Sequence, residues 1–409
     1  MLPEPALSFT IPSIHDGSTT LECRIYHPHS LTPNPRAPPW RKHAAVVAHP
    51  YAPLGGCYDD AVVETVAAVL LRQGFVVGTF NFRGAGKSTG RTSWTSKAER
   101  SDYMSFAAFV YYYVHYLDPF KPQGELTDVP VFLLCGYSYG AMITKLLPTL
   151  DATLEPFIAP KVASAAADIR LRAQHLAEKQ NLILGSARVV LTEGPMSPRK
   201  AAFGMRVGGD EDQRRSQEHS RRSFSADTEE KIRKGVADLM QKAKSHQLHH
   251  HKKKNAEQKS DGTPAASKDA GAEEHKVADS LPPVNGLITP RVAYLLVSPP
   301  VGWATSLMTM NLGGLFGKHT KPSKTKDQQK LIENPTLAVY GDADVFVAVK
   351  KFREWTSKLQ SAPGSMFRAH EVSTAGHFYI EEGTMQRLAD AVREFSGELL
   401  GSATQRLDG

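Results

Sequence analysis

Short apolar runs alternate along this chain with longer segments in which apolar residues recur at helical spacing. The run Ala44–Ala48 is apolar throughout, which is typical of a strand buried on both faces of a sheet. The pattern predicts strands at 7–11, 20–26, 44–48, 75–80, 129–135, 291–297, 335–340 and 367–372, and helices at 61–71, 98–117, 141–147, 347–359 and 384–395. Because helices follow most of the strands, we expect an α/β fold with a mostly parallel central sheet and helices on both faces.

This alternation stops before the sixth predicted strand. Residues 197–280 hold 18 Lys and Arg against 14 Asp and Glu, and apolar residues no longer recur at a regular spacing. Such a segment cannot bury enough apolar surface to offset the entropy lost on ordering. We therefore predict one α/β domain in two parts, 1–195 and 285–409, separated by a disordered charged insertion at 196–284.

The overall charge is +7, and more than half of this excess lies within the predicted insertion. Nucleic-acid-binding proteins usually concentrate positive charge on a folded face, so we expect no nucleic-acid partner. The lysines and histidines of the predicted insertion leave one alternative open, which is weak docking to an anionic surface.

The cysteines and the apolar content favour a soluble, cytoplasmic protein. Cys23, Cys57 and Cys135 show no paired spacing, which favours a reducing compartment. No stretch approaches the roughly 18 apolar residues of a transmembrane segment.

The glycines of 84–90 do not have the spacing of a phosphate-binding loop or of a dinucleotide fingerprint, and we expect neither a cofactor nor a metal.

The candidate chemistry begins at Gly136-Tyr137-Ser138-Tyr139-Gly140, directly after the apolar run 129–135. A serine between two glycines, where a strand meets a helix, can be held on a strained turn with its hydroxyl exposed. Such a hydroxyl becomes a nucleophile when a general base removes its proton, and a carboxylate must orient that base.

Candidates for the carboxylate and the base follow two later strands. Asp342 and Asp344 come after the predicted strand 335–340, and His377 comes after the predicted strand 367–372. Since ligands of open α/β sheets bind at the carboxyl ends of the strands, these side chains are expected at the same edge as Ser138.

At these residues the chain resembles the α/β-hydrolase superfamily, over about residues 5–150 and 285–400. Members often carry Gly-x-x-Asp-x-x-Val after the seventh strand, matched by Gly341 to Val347, and Gly-His-Phe before the last helix, matched by Gly376 to Phe378. The resemblance implies an α/β-hydrolase fold in which Ser138 is the nucleophile, His377 the base and Asp344, rather than Asp342, the acid.

A closer resemblance is to small predicted serine hydrolases whose third strand ends in His-Pro followed by a Gly-Gly pair. Here this loop runs from His49 to Gly56. The resemblance implies that the oxyanion is held by the backbone N–H of Tyr139 and that of Tyr51, with Ala52 as the alternative donor. The same proteins carry Arg-Gly-x-Gly-x-Ser-x-Gly, which stands here at 83–90 and is expected to brace the site through Arg83 and a carboxylate such as Asp102.

The resemblance implies a serine hydrolase that cleaves a carboxylic ester or thioester of a small-molecule or lipid-like substrate. The alternative is an inactive hydrolase-like scaffold, whose charged insertion docks a partner. Two apolar segments, 169–184 and 303–316, are expected to form core or a lid over the acyl pocket.

Overall fold

The computed structural model of the chain describes residues 2–93, 95–120, 129–193, 279–301 and 326–404. Eight strands form one sheet in the order β1-β2-β4-β3-β5-β6-β7-β8. β2 pairs antiparallel with β1 and β4, and all the other neighbours in the sheet are parallel. The predicted mostly parallel α/β architecture is confirmed.

The strands are β1 (Leu7–Pro12), β2 (Thr20–Tyr26), β3 (Ala44–Ala48), β4 (Val76–Phe80), β5 (Val131–Tyr137), β6 (Arg291–Val297), β7 (Thr336–Gly341) and β8 (Phe367–Val372). Each lies within two residues of its predicted bounds. β3, β4 and β5 are buried at every position, which explains why their sequences are apolar almost throughout, with Thr79 as the exception, rather than alternating.

The helices are α1 (Ala61–Arg72), α2 (Lys97–Tyr116), α3 (Tyr139–Leu146), α4 (Leu150–Ile158), α5 (Ala165–Glu193), α6 (Lys326–Glu333), α7 (Val349–Gln360) and α8 (Thr384–Thr404). Along the described residues, no helix combines the length and the apolarity needed to cross a membrane.

The helices divide between the two faces of the sheet, and each face has its own core. Apolar residues of α1 and α8 pack on one face around Val63 and Val392. On the other face, α2 packs centrally, with Tyr103 and Phe106 buried among residues of α3, α4 and α5. This arrangement leaves the carboxyl edge of the parallel strands to the loops that follow β3, β5, β6, β7 and β8.

Four helices differ from the prediction, and one of them, α8, runs to Thr404 rather than to residue 395. α4 contains Pro156 and α6 is only eight residues long, so neither shows the long periodic pattern that identifies a helix. α5 extends well past the predicted 169–184, and its residues Ile169 and Leu176 are buried in the core beside α2. The segment therefore forms core as far as Ala177, whereas its Leu182 and Ile183 are exposed.

Most of the predicted insertion, residues 196–278, lies outside the described residues, as does the apolar segment 303–316. Residues 279–284 of the predicted insertion are described, and Leu281 is buried. Backbone hydrogen bonds of 2.9 Å join Val162 N–H to the Asp279 carbonyl and Leu281 N–H to the Pro160 carbonyl. The division into two parts of one domain stays a prediction.

Candidate active site

Ser138 lies on a strained turn between β5 and α3. Its backbone has φ 53° and ψ −114°, a conformation that residues with a side chain rarely adopt. The flanking glycines make the turn possible: a Cβ on Gly136 would collide with the backbone of Gly140, and one on Gly140 would lie 2.5 Å from the Ala48 carbonyl oxygen. The turn therefore places the Ser138 side chain at the carboxyl edge of the sheet.

Three buried side chains form a continuous hydrogen-bonded chain at this edge. Ser138 Oγ lies 2.8 Å from His377 Nε2, and His377 Nδ1 lies 2.7 Å from Asp344 Oδ2. Because an ionised carboxylate accepts hydrogen bonds only, Nδ1 carries the proton and Nε2 is left to accept from the serine hydroxyl. This is the tautomer that a general base for Ser138 requires.

Asp344 is held in place by the start of the segment that leads into α7. Its Oδ1 accepts hydrogen bonds from Phe346 N–H at 2.8 Å and Val347 N–H at 3.1 Å, which leaves Oδ2 for His377. Asp342, the other acid of this loop, instead accepts from Thr374 N–H at 2.6 Å. The two acids thus have separate partners, and only Asp344 contacts His377.

The loop that carries His377 is fastened by contacts that sequence reasoning missed. The hydroxyl of Tyr137, at the end of β5, donates to the His377 carbonyl oxygen at 2.9 Å. Glu381 Oε2 accepts from Gly376 N–H at 3.0 Å, and the hydroxyls of Tyr379 and Ser298 lie 3.2 Å apart. The Tyr137 hydroxyl joins the His377 loop to β5, and the Tyr379 hydroxyl joins it to Ser298 at the end of β6. Both contacts bring together residues more than 80 positions apart.

His49, at the end of β3, organises the loop that contains Tyr51. Its Nε2 accepts a hydrogen bond from Phe82 N–H at 2.8 Å, so the ring proton is on Nδ1, which donates to the Pro50 carbonyl at 2.6 Å. Burial lowers the pKa of His49 to about 4, so the ring is neutral near pH 7. The histidine of the His-Pro pair is thus a structural residue of the loop.

The two predicted oxyanion donors come from neighbouring elements. Tyr139 is the first residue of α3, so its N–H has no acceptor within the helix, and the rings of Tyr51 and Tyr139 pack 5.0 Å apart. The Tyr51 N–H likewise has no acceptor within the described parts of the chain, whereas its carbonyl accepts from Leu54 and Gly56 N–H. Ala52, the alternative donor, begins the short 3₁₀ turn 52–54.

Arg83 pairs with Asp102 as predicted. Its Nη2 and Nε lie 2.7 and 2.8 Å from the two Asp102 oxygens, and its Nη1 lies 3.1 Å from Asp16. Burial raises the pKa of Asp16, but hydrogen bonds from Thr19 and Arg83 outweigh it and bring that pKa to about 2. This network ties the glycine-rich loop 83–90 to the buried Asp102 of α2 and to the exposed Asp16 of the β1–β2 turn.

No protein-family model matches this chain, and no curated protein matches it. Solved structures are similar to it over most of their length. They include an α/β serine hydrolase homologue from Coxiella burnetii, at 15% identity and a TM-score of 0.44 over 96% of this chain and 99% of that one. XC6422 from Xanthomonas campestris, an α/β serine hydrolase without lid, is 14% identical with a TM-score of 0.43 over 98% and 97%. Est1E from Butyrivibrio proteoclasticus is 11% identical with a TM-score of 0.41 over 96% and 99%.

Proposed function

We propose that this protein, which has the α/β-hydrolase fold, is a serine hydrolase that cleaves a carboxylic ester or thioester through an acyl-enzyme intermediate. The observation that carries the proposal is the hydrogen-bonded chain from Ser138 through His377 to Asp344. A binding scaffold has no need of a serine held at φ 53° with a histidine nitrogen 2.8 Å from its hydroxyl oxygen.

In the first half of the reaction, Ser138 Oγ bonds to the substrate carbonyl carbon while its proton moves to His377 Nε2. Asp344 stabilises the imidazolium that forms. The N–H groups of Tyr139 and Tyr51 would donate to the oxyanion, which would lie beside the N-terminus of α3. The bond from carbon to the leaving oxygen or sulfur then breaks, and His377 returns the proton to the leaving atom.

In the second half, water replaces the leaving group. His377 accepts a proton from the water as its oxygen bonds to the acyl carbon, and then donates that proton to Ser138 Oγ as the ester bond to the enzyme breaks. The products are a carboxylic acid and an alcohol or thiol, and the enzyme returns to its starting state. Each step uses only side chains and backbone groups of the described residues.

The direct test is labelling with a fluorophosphonate probe, combined with hydrolysis of p-nitrophenyl esters. We expect the wild type to be labelled and the Ser138→Ala variant to be unlabelled, with kcat lower by at least about a thousandfold, because the nucleophile is absent. Ser396→Ala is a matched control, since Ser396 is buried in α8 and its hydroxyl donates to the Val392 carbonyl.

Two results would contradict the proposal. An unlabelled wild type would favour the inactive scaffold, with the predicted insertion as its working part. Equal labelling of the wild type and the Ser138→Ala variant would show that the probe reacts at another residue. In either case Ser138 is not the nucleophile of a serine hydrolase.

A further inference from the structure

Within the described parts of the chain, three aromatic rings pack around the His377 imidazole, and two of these three face solvent. The ring centroids of Phe346, Phe378 and Tyr137 lie 4.7, 5.4 and 5.6 Å from that of His377. Tyr137 is 1% exposed and packs on the core side, whereas Phe346 is 37% and Phe378 53% exposed. A molecule that binds next to His377 can therefore contact Phe346 and Phe378.

The two exposed rings belong to one aromatic pair. Phe346 and Phe378 pack edge to face, with centroids 5.9 Å apart, and so join the loop after β7 to the loop after β8. Val345, directly before Phe346 in sequence, and Ile380, two residues after Phe378, are 81% and 83% exposed. We call Val345, Phe346, Phe378 and Ile380 the apolar rim. Large apolar side chains grouped at the mouth of a site are typical of a ligand-contacting surface.

The proposed mechanism determines which part of a substrate this surface would meet. His377 must donate its proton to the leaving oxygen, so that oxygen has to lie about 3 Å from Nε2. The alcohol portion of an ester is attached to this oxygen and consequently lies beside the imidazole. The oxyanion donors Tyr51 and Tyr139 are on other loops and would hold the carbonyl oxygen instead.

We infer that the apolar rim makes this protein selective for esters whose leaving group is an apolar or aromatic alcohol. The inference rests on the proposed function and adds the class of alcohol to it. As the carbon–oxygen bond breaks and the proton passes from His377 Nε2 to the oxygen, the alcohol leaves along Phe346 and Phe378. Binding of a polar alcohol would gain no free energy from covering these two rings. An aryl or alkyl group that covers them removes apolar surface from water, which is favourable.

The test uses the acetate esters of ethanol, 1-butanol and benzyl alcohol, which share one acyl group and differ only in the alcohol. For the wild type we expect kcat/KM to be at least about tenfold higher for benzyl than for ethyl acetate. The Phe378→Ala variant should lose about tenfold on benzyl acetate and less than about twofold on ethyl acetate. Leu182→Ala, which truncates an exposed side chain on α5, is the control expected to match the wild type.

A second variant separates substrate contact from support of the histidine. Phe346→Leu keeps an apolar side chain without the ring, so we expect it to retain activity on butyl acetate and to lose it on benzyl acetate. Equal losses on all three esters in both variants would mean that the rings only pack against His377, and would overturn the inference. So would a wild type that hydrolyses the three acetates with the same kcat/KM.

These failures are distinguishable from failure of the proposed function. A wild type that is labelled by the fluorophosphonate probe and hydrolyses the three acetates at similar rates contradicts only the selectivity. A wild type that is unlabelled and hydrolyses none of them contradicts the serine hydrolase itself, and the selectivity is then wrong with it.

Discussion

At the scale of single residues, His377 shows how much a candidate base depends on side chains far away in sequence. Asp344 sets its tautomer, and Tyr137 holds its backbone. Tyr137 is also the residue before Ser138, so one side chain links the strand that presents the nucleophile to the loop that presents the base. A small displacement of either partner would lengthen the 2.8 Å contact between Ser138 Oγ and His377 Nε2.

The Tyr137→Phe variant tests this link. We expect the free energy of unfolding to fall by about 1 kcal/mol, because the buried His377 carbonyl loses its donor. We also expect kcat on a p-nitrophenyl ester to fall about tenfold with KM changed less than about twofold, because the base is held less well.

Tyr112→Phe is the matched control for this experiment, since the buried Tyr112 hydroxyl donates to the Phe157 carbonyl at 3.1 Å, away from the site. It should lose a similar free energy of unfolding and keep its kcat. If both variants, or neither, lose kcat, Tyr137 has no particular role in positioning His377.

At the scale of elements, the site is assembled from loops that rigid neighbours hold in place. The loop after β3 is organised by His49, which accepts from Phe82 N–H beyond β4 and donates to Pro50. A protonated His49 could no longer accept from Phe82. The geometry of the Tyr51 backbone therefore depends on a neutral imidazole.

Acid should consequently destabilise the protein through His49. Its pKa is lowered from 6.5 to about 4 by burial, so its contribution to stability is complete above pH 6.5 and is lost as the pH falls toward 4. Between pH 7 and pH 5 this loss is about 2 kcal/mol. Urea unfolding of the wild type and of His49→Asn at both pH values measures it.

We expect the variant to be less stable than the wild type at pH 7, because Phe82 N–H and the Pro50 carbonyl lose their partner. The difference between the two proteins should be smaller by about 2 kcal/mol at pH 5. Parallel pH profiles for the two proteins would show that His49 is not the group responsible.

At the scale of the whole molecule, the described residues form a two-sided α/β domain, and residues 194–278 are connected to it at the C-terminal end of α5 and at Asp279, ahead of β6. Lys161 pairs with Ser280, close to the start of α5, whereas residue 193 is at the far end of that helix. With a rise of about 1.5 Å per residue, α5 separates these points by about 40 Å. A deletion of the segment must bridge that distance.

We predict that replacing 197–278 with a Gly/Ser linker of about 25 residues leaves kcat/KM within about threefold of the wild type, because the described side chains of the site all come from other loops. The chain should keep residues 279–281, whose backbone bonds hold the start of α5. A control linker of five residues cannot span α5 and should lower the melting temperature. Loss of activity with the long linker, at unchanged melting temperature, would show that the segment contributes to the site.

The sequence by itself determined the α/β alternation, the sheet edge and two of the three hydrogen-bonded side chains, Ser138 and His377. These follow from local features: apolar runs buried on both faces, glycines flanking Ser138, and a histidine placed directly after a strand. Two acids follow the preceding strand, and only the resemblance to the α/β-hydrolase superfamily favoured Asp344 over Asp342. The glycines at 136 and 140 mark the turn in the sequence. In the turn where Ser138 has φ 53°, a side chain at either of these positions would collide with neighbouring backbone.

Only the tertiary structure decided how these residues are held and what surrounds them. Tyr137 and His377 are 240 positions apart, and nothing in the spacing of either residue indicates that a phenol would reach that carbonyl. The apolar rim likewise depends on Phe346 and Phe378 meeting across two loops, which requires β7 and β8 to pair in register. Such contacts are set by packing between elements, whereas local sequence patterns record only which face each element buries.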